Sequence, residues 1–63
     1  MAERERTGVV WREDTHQIEV SYRDGASDQL IGSETVAAVL AADAGLDHVK
    51  AGDGIWSWVK PPG

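Results

Sequence analysis

Gln17-Ile18-Glu19-Val20-Ser21-Tyr22-Arg23 alternates polar and apolar residues without a break and runs straight into Asp24-Gly25. Side chains of a strand point alternately to its two faces, so Ile18, Val20 and Tyr22 share one face and Gln17, Glu19, Ser21 and Arg23 the other. That is the pattern of an antiparallel strand with one wet side. Asp-Gly tolerates the positive φ of a primed two-residue turn, so the chain is expected to reverse there. Upstream, Gly8-Val9-Val10-Trp11-Arg12-Glu13 is a β-branched and aromatic run, with Val9 and Trp11 on one face and Val10 and Arg12 on the other. Asp14-Thr15-His16 separates the two runs by a length that suits a hairpin. Ala26 to Ile31 then reads as a third, weaker strand, released by Gly32.

A helix is expected to begin at Ser33, whose side chain can accept a backbone N–H, with Glu34 in the first turn where the helix dipole favours an acid. Val36, Val39, Leu40 and Asp43 fall at i, i+3, i+4 and i+7, with Ala37, Ala38, Ala41, Ala42 and Ala44 filling in. This spacing predicts a narrow apolar stripe facing the sheet. Gly45 is placed as the left-handed stop, giving a helix of about three turns. Leu46 to Val59 holds Ala51-Gly52-Asp53-Gly54 between two apolar-containing runs, a short hairpin whose stronger arm is Ile55-Trp56-Ser57-Trp58-Val59. The two prolines of Lys60-Pro61-Pro62-Gly63 cannot continue a ladder, so residues 60–63 are expected as a tail. Residues 1–7, alternating acid and base with nothing to bury, are expected as a disordered lead. Residues 8–59 form a single α+β domain of order β-β-β-α-β-β: an antiparallel meander of about three strands packed by one helix, then a C-terminal hairpin. Strand order beyond the sequential hairpins does not follow.

Composition decides what such a domain can do. At 63 residues a chain buries only about 60% of its unfolded surface, and its core supplies no more than roughly 3–5 kcal/mol. Phe is absent and Leu and Ile number three each, so three Trp and one Tyr must provide much of the bulk. The lack of cysteine excludes disulfides, zinc-thiolate sites, iron–sulfur clusters and thiol nucleophiles. The charged N-terminus does not match a signal peptide and no apolar run approaches the ~18 residues of a membrane span, so a cytoplasmic protein with no membrane association is expected. The absence of Asn and Phe, with abundant Ala, Gly, Val, Asp and Arg, suits a GC-rich coding sequence, as in a high-GC bacterium, its phage or a salt-adapted archaeon.

No serine sits in a nucleophile elbow, no carboxylate pair forms an acid/base frame, and Ala51-Gly52-Asp53-Gly54 lacks the lysine and spacing of a phosphate loop. No enzyme activity, cofactor or metal is expected. His16 and His48 match no metal-ligand spacing.

The net charge of −5 repels nucleic acid, whose binding rests on Lys and Arg, and attracts basic protein surfaces. Direct nucleic-acid binding, even through stacking on exposed indoles, is therefore disfavoured. The expected function is a non-enzymatic, acidic protein-binding module. In one concrete form it is an inhibitor whose carboxylates imitate phosphates and occupy a basic nucleic-acid-binding surface, comparable in size and charge alone to small anti-CRISPR and anti-restriction proteins. Glu19, Asp24, Asp28, Glu34, Asp43 and Asp47 are the candidate acidic contacts. Trp11, Trp56 and Trp58 are candidate aromatic contacts if they face outward, since Trp anchors interfaces. On the last strand, either Ile55, Ser57 and Val59 face the helix and the two Trp project outward, or the reverse, in which case the indoles are core. The alternative function is a structural or assembly protein that forms a homodimer, or joins a larger subunit, through its Trp-bearing C-terminal strand.

Overall fold

The computed structural model describes residues 5–62. Strands β1 (Arg6–Arg12), β2 (Gln17–Tyr22) and β3 (Ser27–Ile31) are followed by helix α1 (Glu34–Asp43) and strands β4 (Asp47–Gly52) and β5 (Ile55–Val59). The fold is α+β, in the expected order β-β-β-α-β-β. The C-terminal hairpin is not a separate layer, because β5 pairs with β1 and completes one antiparallel five-stranded sheet of order β3-β2-β1-β5-β4. The first strand of the chain is thus the central one. Val9-Val10-Trp11 is apolar on both faces, which suits a strand with neighbours on each side.

β1 begins at Arg6, two residues before the expected domain start, so Arg6 and Thr7 belong to the sheet rather than to a lead. Lys60 extends the same ladder at the other terminus, its N–H donating to the Thr7 carbonyl at 3.2 Å. The rest of the expected lead, residues 1–4, and Gly63 of the tail lie outside the described residues.

Glu13 to His16 link β1 to β2, with His16 in the left-handed region at φ 53°. The Asp24-Gly25 reversal is a three-residue turn rather than the expected two-residue one. Gly25 donates to the Tyr22 carbonyl at 3.1 Å, Tyr22 to that of Ala26 at 2.9 Å, and Asp24 Oδ1 accepts the Ala26 N–H at 3.0 Å. Gly25 takes the left-handed position that ends such a turn. The true two-residue loop is Asp53-Gly54, closed by Gly52 opposite Ile55.

α1 is capped as expected at its start, Ser33 Oγ accepting the Val36 N–H at 3.3 Å. It stops where Gly45 turns left-handed (φ 71°). The N–H groups of Gly45 and Leu46 close onto the carbonyls of Ala42 and Ala41 at 3.0 and 2.9 Å, and Leu46 is buried beneath that closure. The helix carries the chain over one face of the sheet, from edge strand β3 to edge strand β4. Its contact face is not the expected Val36–Val39–Leu40 stripe: Ala37 and Ala41 are fully buried and Val36 and Val39 exposed. The indoles beneath occupy the space between the layers, so the helix approaches on its smallest side chains.

Side chains directly opposite one another in an antiparallel pair share a face. On the helix side, Val20, Val9 and Trp58 make one row and Ile18, Trp11 and Trp56 the next. With Ala37, Ala41 and Leu46 the buried members of these rows form the core, and Trp56, Tyr22, Ala38, Leu40 and Ala44 pack around it. No helix among the described residues is long and apolar enough to cross a membrane.

Candidate functional site

β5 resolves the two arrangements open to it: Trp56 and Trp58 face the helix, and Ile55, Ser57 and Val59 face away. Trp11 and Trp58 each retain 7% exposure, and Trp56 is half-buried against the same cluster. Trp11 and Trp56 pack at a ring separation of 5.0 Å, and the Trp11 indole N–H donates to the Gly32 carbonyl at 2.9 Å. An indole that is enclosed and hydrogen-bonded has no face left for a partner. Trp11 and Trp58 are therefore core residues, contrary to their expectation as aromatic contacts, and Trp56 offers a partner only part of its ring. β5 also lies between β1 and β4, so strand-to-strand self-association along this Trp-bearing strand has no free edge. The sheet edges are β3 and β4.

The expected acidic contacts are all available to solvent except for Glu19, which is half-buried, but they do not line up. Glu19 lies on β2 and Asp47 on β4, both on the face away from the helix. Asp28 is on the helix side of β3 and accepts the Tyr22 hydroxyl at 2.8 Å. That hydrogen bond, followed by burial and the Asp28 charge, holds the Tyr22 pKa above the ordinary tyrosine range, against an opposing contribution from Arg6. Asp24 sits in the β2–β3 turn, Glu34 begins α1 and Asp43 ends it. These six carboxylates therefore point to several sides of the molecule.

A tighter grouping lies at one end of the sheet and includes residues outside that set. Because β5 runs antiparallel to β1, the β1–β2 and β4–β5 turns meet, and the Glu13 N–H donates to the Gly54 carbonyl at 2.8 Å. A shallow depression there is lined by Arg12, Glu13, Asp14, Asp53, Gly54 and Ile55. A second is lined in part by Arg12, Asp14, Gln17, Glu19 and Gln29. Glu13, Asp14, Asp53 and Glu19 thus gather around Arg12. Acids in two separate turns were the available signal, but their meeting depends on the β1–β5 pairing, which the sequence does not specify.

At the opposite end Glu5 pairs with Lys60 and, at 3.4 Å, with Arg23, which ties the two termini to the β2–β3 turn. The Lys60 contact, by hydrogen bond and then by charge, does most to hold the Glu5 carboxyl below its ordinary pKa. Glu13, Asp14, Glu19, Glu34, Asp43, Asp47 and Asp53 make no ion pair with another described residue. Among the described residues no three carboxylate or imidazole groups converge closely enough to hold a metal ion.

Comparison with family models, curated proteins and solved structures finds no match.

Proposed function

We propose that this chain is a non-enzymatic protein-binding module that uses unpaired carboxylates to engage a basic surface on a partner protein. The supporting observation is that Glu13, Asp14, Glu19 and Asp53 line two adjoining depressions with Arg12 and make no ion pair with another described residue. Carboxylates held on hairpin turns and a sheet face are rigidly spaced and cost little to order when a Lys or Arg cluster arrives. Charge complementarity of this kind mainly accelerates encounter and selects the partner, and salt weakens it. A groove that binds nucleic acid presents the matching array of cations, so occupying such a groove as an inhibitor is the specific form of the proposal.

Zero-length carbodiimide cross-linking in a cell extract tests it, because it joins a carboxylate only to an amine in direct contact. Cross-links from Glu13, Asp14, Glu19 or Asp53 to lysines of one basic protein are expected. They should disappear at high salt and in the D14K/E19K/D53K variant. Cross-links unchanged by salt and by that variant would contradict the reading.

A further inference from the structure

Asp24-Gly25 and Asp53-Gly54 are the two Asp-Gly pairs of the chain, which has no Asn. An aspartate followed by glycine can close on itself, because the nitrogen of the next residue attacks the side-chain carboxyl carbon and forms a five-membered succinimide. Glycine favours the closure: it has no side chain to obstruct the approach, and its backbone reaches conformations closed to other residues. Both pairs lie in hairpin turns, so neither sequence nor element type separates them. Their hydrogen bonds do.

At Asp24-Gly25 both reacting groups are held. Asp24 Oδ1 accepts the Ala26 N–H at 3.0 Å, and the Gly25 N–H donates to the Tyr22 carbonyl at 3.1 Å. The carboxyl is engaged one residue beyond the nitrogen it would have to reach, and the proton which that nitrogen would have to lose is shared with a carbonyl inside the turn. Cyclisation must first break both bonds. At Asp53-Gly54 neither group is held. Asp53 is exposed and its carboxyl makes no ion pair or hydrogen bond with another described residue, and no described residue accepts the Gly54 N–H. The Glu13 N–H anchors Gly54 through its carbonyl, on the far side of Cα from the nitrogen.

We propose that Asp53 is a site of spontaneous isomerisation to isoaspartate in the folded protein, and that the turn around Asp24 protects the same dipeptide there. The Gly54 nitrogen bonds to the carboxyl carbon of neutral Asp53, and the amide proton leaves with the carboxyl hydroxyl as one water. Water then adds back to the ring. Opening at the former side-chain carbonyl restores aspartate; opening at the main-chain carbonyl leaves that carbon as the free carboxylate and joins Gly54 through the former side chain. Mass and charge are unchanged, and no reactant other than water takes part. The isomer has one more main-chain carbon between Asp53 and Gly54, in a two-residue loop that Gly52 closes opposite Ile55. It also moves a carboxylate that lines a depression with Arg12. None of this depends on whether a partner binds there.

Prolonged incubation of the full chain, folded in buffer and unfolded in guanidinium, tests the proposal. Trypsin cuts after Lys50, which separates the two sites into different peptides, and electron-transfer fragmentation reads the altered linkage in each. In the folded chain isoaspartate should accumulate at Asp53 at least about tenfold faster than at Asp24, as the need to break two hydrogen bonds first implies. In guanidinium the two sites should convert at similar rates, since glycine follows both. Labelling of the aged folded protein by an isoaspartate-specific carboxyl methyltransferase, with S-adenosylmethionine as methyl donor, should fall to a minor fraction in Asp53→Glu, whose imide would need a six-membered ring. Circular dichroism confirms that this variant folds; if it does not, the comparison of the two sites in wild type decides. No isoaspartate at Asp53 in the folded chain would overturn the proposal. So would folded Asp24 converting as fast as Asp53, the same ratio of the two sites in folded and unfolded chains, or labelling that persists in folded D53E.

Discussion

Gly32 shows how one missing side chain sets the spacing of two layers. A Cβ there would stand 2.8 Å from Ile18 Cδ1, and Ile18 is fully buried. Its backbone is also engaged on both sides, the carbonyl accepting from the Trp11 indole and the N–H donating to the His16 carbonyl at 2.8 Å. Gly32→Ala should therefore cost about 1–3 kcal/mol by overpacking, read as a lower urea midpoint with an unchanged slope. An unchanged midpoint would mean that the junction yields. From the sequence, Gly32 reads only as the end of a strand, because the atom it makes room for lies on the paired strand β2 and is brought there by the β2–β3 register. Tyr22 is different: its place on the apolar face of β2 is legible from alternation alone, and only its hydrogen bond to Asp28 needed the β2–β3 register. The raised pKa means that the hydrogen-bonded, neutral phenol favours the folded state. This contribution is fully present below the ordinary tyrosine pKa and is lost as pH rises through the higher folded value. Absorbance titration should show Tyr22 ionising above free tyrosine, with Asp28→Asn bringing it back down. Coincident titrations in the two proteins would refute the pairing.

At the scale of elements, what the sequence specifies and what it leaves open divide along local and non-local physics. Strand alternation, the Ser33 cap and the Gly45 stop are local, and each appears where short-range chemistry puts it. The contact face of α1 does not, because its apolar residues surround much of the helix and leave the partner layer to choose among them. Three indoles below make the small residues the best fit. Ala41→Leu should then cost about 1–3 kcal/mol by overpacking, whereas Val39→Lys, at 59% exposure, should stay within about 0.5 kcal/mol of wild type. Equal losses from the two in chemical denaturation would put the helix the other way round. The two-residue reversal expected at Asp24-Gly25 fell instead at Asp53-Gly54. Both dipeptides are suitable, and the flanking register decides which loop length each adopts.

For the whole molecule, the central consequence is a division of labour between surfaces. The large aromatic groups close the helix side, and Glu13, Asp14 and Asp53 stand exposed beside Arg12 at one end of the sheet. Charge was legible from composition, but its concentration at one end was not, since that rests on β5 joining β1 across more than half the chain. Tryptophan fluorescence with acrylamide, a neutral quencher that the acidic surface does not repel, tests this division most directly. The structure predicts a blue-shifted, weakly quenched emission, with a minor accessible fraction that Trp56→Phe removes. Red-shifted emission in a folded protein, with Trp11 and Trp58 freely quenched, would contradict it and return the aromatic residues to the surface.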